Sequence, residues 1–234
     1  MTQKNRNPNF AIPALAFKTF TELKDDSKYF SFTEKIILLL NKIHDPIRRA
    51  RKLHDQIEKC MDRLFAKDEV KASVNCTKGC TFCCHTQVAV TEDEAKLLAS
   101  RILNSQNSID LYRLHTQAKA GVNIDKWYQI PHAQRACVFL GKDGGCSVYE
   151  DRPSVCRTNN AVSDPSSCST EDGIEKPQNL LLTHEADMII TGAFAASKEN
   201  GPLPFMLKKV LLKHEDYLKN SSVWKNVASV LKMP

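Results

Sequence analysis

Cysteines dominate the chemistry available to this chain. Nine occur in 234 residues, and all but Cys60 fall between positions 76 and 168. Thiolates repel one another and oxidise readily, so a chain in a reducing compartment gathers this many only where a cation or a metal cluster holds them. We therefore predict a metal centre whose candidate ligands are Cys76, Cys80, Cys83, Cys84, Cys137, Cys146, Cys156 and Cys168.

The first four of these cysteines follow one another with the spacing Cys-x3-Cys-x2-Cys-Cys. On a helix, residues three and four apart share a face, so the four thiols would project from one side. If Lys78 and Gly79 form a turn instead, Cys80 and Cys83 still share one turn. The sulfurs converge in both cases. Adjacent cysteines point about 100° apart on a helix, so two metal sites, or one site with a spare thiol, both remain open.

The spacing also bears on the metal. Structural zinc sites usually take two ligands from each of two Cys-x2-Cys pairs, and Cys80 and Cys83 form the only such pair here. Iron–sulfur clusters tolerate less regular spacing because the cluster is larger than an ion. We favour an iron–sulfur cluster of the [4Fe–4S] type, with zinc as the alternative. The triple Cys-x3-Cys-x2-Cys also occurs in radical S-adenosylmethionine enzymes, but the series of alternating strands that their barrel requires is absent.

A second distinctive string follows the glycine-rich stretch 141–145. The run from position 149 to 157 reads Tyr-Glu-Asp-Arg-Pro-Ser-Val-Cys-Arg. Together with the upstream cysteine block, it resembles the YkgJ-like cysteine-cluster family of zinc- or iron-chelating proteins, over about residues 74–170. The resemblance implies that the two cysteine blocks supply the ligands, with Cys168 as a less firmly anchored eighth. A similar pattern in flagellin lysine N-methylases implies, by analogy, a cluster-dependent enzyme with redox or methyl-transfer chemistry.

Three further side chains lie next to the cysteines in the sequence. Arg152 and Arg157 flank Cys156 and are predicted to contact the cofactor, because a four-thiolate site carries net negative charge. The alternative for Arg152 is a surface ion pair with Glu150 or Asp151. His85 follows Cys84 directly, and we interpret it as a histidine at the start of a strand rather than as a ligand. No catalytic residue is identified from the sequence.

Charge and hydropathy restrict the remaining functions. The net charge is +6, and basic runs occur at 48–52 and 208–209 without interleaved aromatic residues, a pattern that favours solvated helix faces over a nucleic-acid surface. The longest apolar run, 36–40, is too short to span a membrane, and no secretory signal pattern opens the chain. We therefore expect a cytoplasmic protein whose partner is a metal ion or cluster. A zinc-stapled interaction module that binds a protein partner through its basic helices is the third functional hypothesis.

Local patterns predict a mainly α fold. It is a helical domain with a cysteine-rich metal-binding centre and a short β-hairpin at 136–149. Helices are predicted at 33–43, 46–70, 92–103, 109–120, 178–196, 204–218 and 221–231, and Cys60 falls on the apolar stripe of the second, where we expect it to be buried. Asp45 followed by Pro46 predicts the start of the second helix, and a capping box from Thr91 to Glu94 predicts the start of the third. The predicted organisation is a loose N-terminal arm (1–30), N-terminal helices (31–72), the cysteine-cluster segment (73–170) and C-terminal helices (171–234).

Overall fold

Helices form most of the structure, a computed structural model that describes residues 12–77, 79–104 and 109–213 and the two positions 230 and 232. This confirms the mainly α class. The described α-helices are Ala14–Leu23 (α1), Ser27–Asn41 (α2), Pro46–Phe65 (α3), Asp68–Ser73 (α4), Glu92–Leu103 (α5), Leu111–Lys119 (α6), Ile124–Gln129 (α7), His132–Arg135 (α8), Ser154–Thr158 (α9), His184–Ala196 (α10) and Leu203–Lys213 (α11).

The predicted loose arm is wrong for its described part. Helix α1 occupies much of it, and α2 begins at Ser27, where the side chain of Asp26 accepts hydrogen bonds from the backbone N–H groups of Lys28 and Tyr29. Helix α1 buries Ala16 and Thr19 against α10, so tertiary packing stabilises a segment whose sequence looked irregular. Residues 1–11 of the predicted arm lie outside the described part of the chain.

Helix α3 begins as its sequence predicts. Asp45 is its N-cap and accepts a hydrogen bond from the backbone N–H of Arg48, and Pro46 is the first helical residue. The helix ends at Phe65, five residues before the predicted end at 70. A new helix, α4, follows with Asp68 and Glu69 in its first turn, where negative charge favours the start of a helix. Cys60 is buried, as predicted.

Helix α5 opens with the predicted capping box. The hydroxyl of Thr91 accepts a hydrogen bond from the backbone N–H of Glu94, and the Glu94 carboxylate accepts one from the backbone N–H of Thr91. In the C-terminal part, α10 starts at His184 rather than near 178, because Leu181 donates a backbone hydrogen bond to Asn160 and the preceding residue forms a β-bridge. The predicted helix 221–231 lies outside the described residues except at 230, as does the last part of 204–218.

The described β-structure is small. Strand β1 (Ala89–Thr91) pairs antiparallel with strand β2 (Asn200–Pro202). In this register Thr91 lies opposite Asn200, which comes 109 residues later in the sequence. The hairpin predicted at 136–149 is reduced to one antiparallel bridge between Leu140 and Cys146. Gly144 has a φ of 75° in the turn between these two residues, a conformation that favours glycine.

Two apolar cores flank the cysteine segment. One gathers side chains from α5, α6 and α11, and Cys137 and Cys146 pack against its surface. The other gathers side chains from α1, α2, α3 and α10, and Val155 packs against it. The loops that carry the cysteines therefore lie between two packed groups of helices. Among the described helices, none is both long enough and apolar enough to cross a lipid bilayer.

Candidate metal centre

The first cysteine block is a turn followed by a short 3₁₀ helix. Gly79 has a φ of 91°, in the left-handed region, and the 3₁₀ helix spans Phe82–His85. The backbone N–H of Cys80 donates to the carbonyl of Thr77 at 3.0 Å, and that of Cys84 donates to Thr81 at 2.9 Å. The turn at Gly79, one of the two predicted arrangements, is therefore present, and the four thiols do not lie on one continuous helix.

Backbone hydrogen bonds bring the second block to the first. The N–H of Cys137 donates to the carbonyl of Cys84 at 2.8 Å. The N–H of Leu140 donates to the carbonyl of Cys137 at 2.9 Å, and Leu140 forms the bridge to Cys146. Cys84, Cys137 and Cys146 are thus connected through the main chain, although they lie up to 62 positions apart (146 − 84).

Cys156 lies on α9, which a buried carboxylate holds in place. The backbone N–H of Ser154 donates to Oε1 of Glu94 at 2.7 Å, and Nε2 of His54 lies 3.1 Å from the same oxygen. Glu94 is completely buried. Helix α9 is therefore anchored to α5 and α3, and sequence reasoning missed this anchor because Glu94 was interpreted only as a capping residue.

Cys168 ends the 3₁₀ helix Pro165–Cys168, which packs against the 3₁₀ helix of the first block. Its thiol donates to Oε1 of Gln178 at 2.7 Å. Cys76 is positioned from the neighbouring segment, because its sulfur accepts a hydrogen bond from the backbone N–H of Ala161 at 3.2 Å. The structure therefore brings the most distant cysteine to the first block.

Backbone geometry indicates two groups of cysteines: the 3₁₀ helix of Cys168 packs against that of the first block, and main-chain contacts connect Cys84 with Cys137 and Cys146. The charges of Cys76, Cys80 and Cys83 act on Cys168, and those of Cys137, Cys146 and Cys83 act on Cys156. We call Cys76, Cys80, Cys83 and Cys168 the first set. The second set is Cys84, Cys137, Cys146 and Cys156. Cys83 lies at the junction, since its sulfur is also hydrogen-bonded to Cys84.

Burial keeps most of these thiols neutral when no cation is near. It raises the pKa of Cys137 and that of Cys168 to about 11 each, and it raises the pKa of Cys156 well above the ordinary value. Neighbouring thiolates add to each of these increases. Cys83 differs, because the hydrogen bond from Cys84 lowers its pKa to about 6 against the opposing effect of burial, and Asn159 contributes a second hydrogen bond. A bound metal would offset the cost of ionising these buried thiols, since metal binding requires thiolates.

The two predicted arginines have different environments. The guanidinium of Arg152 lies 4.1 Å from the ring centre of Tyr149, and its charge lowers the pKa of Cys83, Cys146 and Cys156. Its Nε is buried without a hydrogen-bond partner among the described residues. The alternative ion pair with Asp151 is not formed, because that carboxylate pairs with Arg51 and Arg101. Arg152 is thus available to thiolates.

Arg157 is held by protein groups around α9, and its predicted contact with a cofactor stays a prediction. Its guanidinium donates to the carboxylate of Glu58 and to the carbonyls of Glu150 and Arg152. One NH2 group also lies 3.3 Å from Nδ1 of His54. The short helix α9 directs Arg157 toward α3, so this side chain stabilises the fold around Cys156.

His85 makes a contact that the sequence did not predict. Its ring stacks on that of His132, with the ring centres 4.0 Å apart and the planes 10° from parallel. Its Nδ1 lies 3.1 Å from the carbonyl oxygen of His132, and Trp127 donates to the carbonyl of His85. His85 ends the 3₁₀ helix instead of starting a strand, which begins at Ala89.

The donor set suits zinc or iron, which both bind thiolates. The buried, unpartnered Nε of Arg152 beside three thiols also suits a centre that carries negative charge. Within 12–77, 79–104, 109–213, 230 and 232, no group of three or more His, Cys, Asp or Glu side chains is arranged to hold a metal ion. The fit therefore rests on donor type and proximity.

A cavity of about 320 Å³ adjoins both sets of thiols. Cys83 and Cys168 border it from the first set, and Cys156 borders it from the second. Residues 12–16, at the start of α1, form the opposite wall. A molecule in this space would therefore touch thiols of both sets.

Fold and site together describe a mainly helical protein built around a cysteine-rich chelating segment. Residues 75–180 match the model of the CxxCxxCC family, described as a "putative zinc- or iron-chelating domain". The match confirms the predicted resemblance and the predicted metal-binding class. Searches of curated proteins and of solved structures found no match to the chain.

Proposed function

We propose that the cysteine-rich segment holds two metal centres, one in each set of four cysteines, and that these centres are [4Fe–4S] clusters. The observation that carries the proposal is the placement of the cysteines: packing of two 3₁₀ helices brings Cys168 to the first block, and main-chain contacts connect Cys84 with Cys137 and Cys146. Four cysteine thiolates are the usual ligand set of such a cluster.

The spacing of the first set supports a cluster over zinc. Three of its cysteines, Cys76, Cys80 and Cys83, lie within eight residues, and Cys168 comes from a distant loop. Three close cysteines with a distant fourth are typical of ferredoxin-like cluster sites, whereas structural zinc sites pair two Cys-x2-Cys units. Zinc in one or both sets is the alternative.

The surrounding residues support a charged centre between the helices. Cys137 and Cys146 pack against the apolar core of α5, α6 and α11, which excludes water and favours a charge-compensated complex over free thiolates. Arg152 supplies positive charge next to thiols of both sets. A bound cluster would supply one-electron transfer, and the protein residues would set its solvent access and its local charge.

Metal and sulfide analysis of protein purified without oxygen tests the proposal. The expected result is a brown protein with about eight irons and about eight acid-labile sulfides per chain, as two [4Fe–4S] clusters require. A colourless protein with about two zinc ions would overturn the clusters and retain two centres. Metal for a single centre would overturn the division into two sets.

A cluster-dependent enzyme, an oxidoreductase or a methyltransferase-like protein, is the second candidate. The cavity that reaches Cys83, Cys156 and Cys168 favours it, because an enzyme needs a space for substrate beside its cofactor. Reduction of the purified protein with and without S-adenosylmethionine would test it. Turnover of the methyl donor above that of a Cys156→Ser variant is the expected result, and equal turnover would overturn it.

The interaction-module hypothesis receives less support from the surface charges. Arg49 pairs with Asp93, Arg51 pairs with Asp151, and Lys209 pairs with Glu199. These basic side chains are therefore engaged within the chain.

A cytoplasmic location remains our proposal, since nine cysteines that are all free suit a reducing compartment. Fractionation of cells that express the tagged chain would test it, and recovery outside the cytoplasm would overturn it.

A further inference from the structure

The cavity beside the thiols is large enough for an organic molecule. Its volume of about 320 Å³ lies at the lower end of the volumes of small-molecule sites, which start at ~300 Å³. It is bounded by the start of α1, by α10 and by the segments that carry Cys83, Cys156 and Cys168. Several separate parts of the sequence therefore form its walls.

The walls combine an apolar surface with a few polar groups. Leu15, Val155, Leu180 and Ile190 contribute hydrocarbon from four different elements. The amide groups of Asn159 and Gln178 and the carboxylate of Asp187 reach the same space. None of the described side chains that line it is Lys, Arg or His. An anion would therefore enter without a positive partner.

Asp187 gives the cavity a charge preference. Only 1% of this residue is exposed. Its two oxygens accept hydrogen bonds from the hydroxyls of Thr19 at 2.8 Å and Thr183 at 3.0 Å, and no described Lys or Arg pairs with it. Burial raises its pKa to about 6 against the opposing effects of the two threonine hydrogen bonds and of the charge of His184. A buried carboxylate without a Lys or Arg partner is costly, and each of its oxygens keeps an accepting position for one more donor.

We propose that this cavity binds a small molecule that has an apolar body and a neutral or cationic nitrogen donor, an amide or an amine, which pairs with Asp187. Binding of this class of ligand depends on the cavity alone. Its use as a substrate next to the thiols rests on the proposed function. Asp187 and Leu15 belong to helices outside the cysteine segment, whereas Cys83, Cys156 and Cys168 border the same cavity.

Three probes of the same carbon number test the charge preference: hexylamine, hexanamide and hexanoate. Each is titrated by calorimetry at pH 7.5 into the protein as purified, with its metal content measured on the same sample. Hexylamine and hexanamide are expected to bind saturably, and hexanoate at least about tenfold more weakly, because a carboxylate would face Asp187 across a few ångströms.

Two matched variants on α1 test the location. Leu15 lines the cavity, whereas Phe17, two positions later, is 49% exposed and does not line it. Leu15→Lys places an ammonium group at the cavity and is expected to strengthen hexanoate binding and weaken hexylamine binding. Phe17→Lys adds the same charge to the same helix and is expected to leave the three affinities within about twofold, since an exposed charge is screened. Asp187→Asn is expected to remove the preference for hexylamine over hexanoate.

Absence of saturable binding for all three probes, or equal binding of all three, would overturn the inference. An equal effect of Leu15→Lys and Phe17→Lys would also overturn it, because the charge would then act from outside the cavity. These outcomes are independent of the metal assay. A protein that contains metal but binds no probe rejects the cavity site alone, and a protein that binds the amine without containing metal rejects the metal proposal alone.

Discussion

Glu94 accepts a hydrogen bond from the backbone N–H of Ser154 at 2.7 Å, and this contact joins the first turn of α5 to the helix that carries Cys156. The same carboxylate caps α5 through Thr91 and contacts His54 on α3. One completely buried side chain therefore fixes three elements relative to one another. The position of Cys156, a member of the second set, therefore depends on a residue that lies far from it in the sequence.

The Glu94 contacts predict a specific pH dependence of stability. Burial alone would raise the pKa of Glu94, but hydrogen bonding and charge interaction with His54, together with the N–H groups of Thr91 and Ser154, outweigh it and lower the pKa to about 2. Since the folded-state pKa lies below the unfolded value, the stabilisation is complete above about pH 4.5 and is lost as the pH falls toward 2. Glu94→Gln should reduce the free energy of unfolding at pH 7 by about 3 kcal/mol.

Urea denaturation of metal-free protein between pH 2 and pH 7 measures this effect. The difference in unfolding free energy between wild type and Glu94→Gln should shrink as the pH falls below 4.5. Glu22→Gln, at an exposed position on α1, should change the free energy by less than about 0.5 kcal/mol at every pH. A constant difference between wild type and Glu94→Gln across the range would contradict the ionised role of Glu94.

Single cysteine substitutions should separate the two sets. Cys80→Ser removes a ligand of the first set, and Cys146→Ser removes one of the second, so each should lose about half of the bound metal and should be less soluble, because metal binding contributes to folding. Cys60→Ser should retain all of the metal, since Cys60 is buried beside Arg63 on α3. Metal content per chain is measured on protein purified without oxygen. Loss of metal from Cys60→Ser would show that the division of the cysteines is wrong.

Substitution of the two arginines near Cys156 should affect different properties of the protein. Arg152→Met removes a charge that acts on three thiols, and outer-sphere changes of this kind typically weaken metal binding by about 10–100-fold. Arg157→Met removes the contacts with Glu58 and with two carbonyls, so it should mainly lower the thermal midpoint of the metal-free protein. Chelator competition measures the affinity, and calorimetry measures the midpoint. Identical profiles for both variants would refute the distinction.

Metal-free protein should alkylate first at Cys83. The hydrogen bond from Cys84 lowers the pKa of Cys83 to about 6, so this thiol is mainly ionised at pH 7, whereas burial holds Cys137 and Cys168 in the neutral form with a pKa of about 11 each. Limited treatment with iodoacetamide, followed by peptide mapping, should find the label mainly on Cys83. Metal-loaded protein is the control and should be protected. Even labelling of the eight cysteines in the metal-free protein would contradict the lowered pKa.

Sequence alone identified the elements with strong local signals. Asp45 and Pro46 begin α3, and Thr91 and Glu94 begin α5, because caps act through hydrogen bonds within a few residues. The burial of Cys60 was predicted correctly, because the helical spacing of apolar residues shows which face of α3 packs against the core. Helix α1 was missed, since it forms by packing against α10 and carries no side-chain cap.

The cysteines themselves, their order and their thiol chemistry are properties of the sequence, and they determined the match of residues 75–180 to a family of chelating domains. Only the tertiary structure decided how they are grouped. Cys168 reaches the first block through packing of two 3₁₀ helices, and Cys137 reaches Cys84 through one backbone hydrogen bond. The different environments of Arg152 and Arg157 follow from which element each side chain faces. Such contacts join residues that are distant in sequence, so no local pattern specifies them, whereas thiol content and spacing are local by nature.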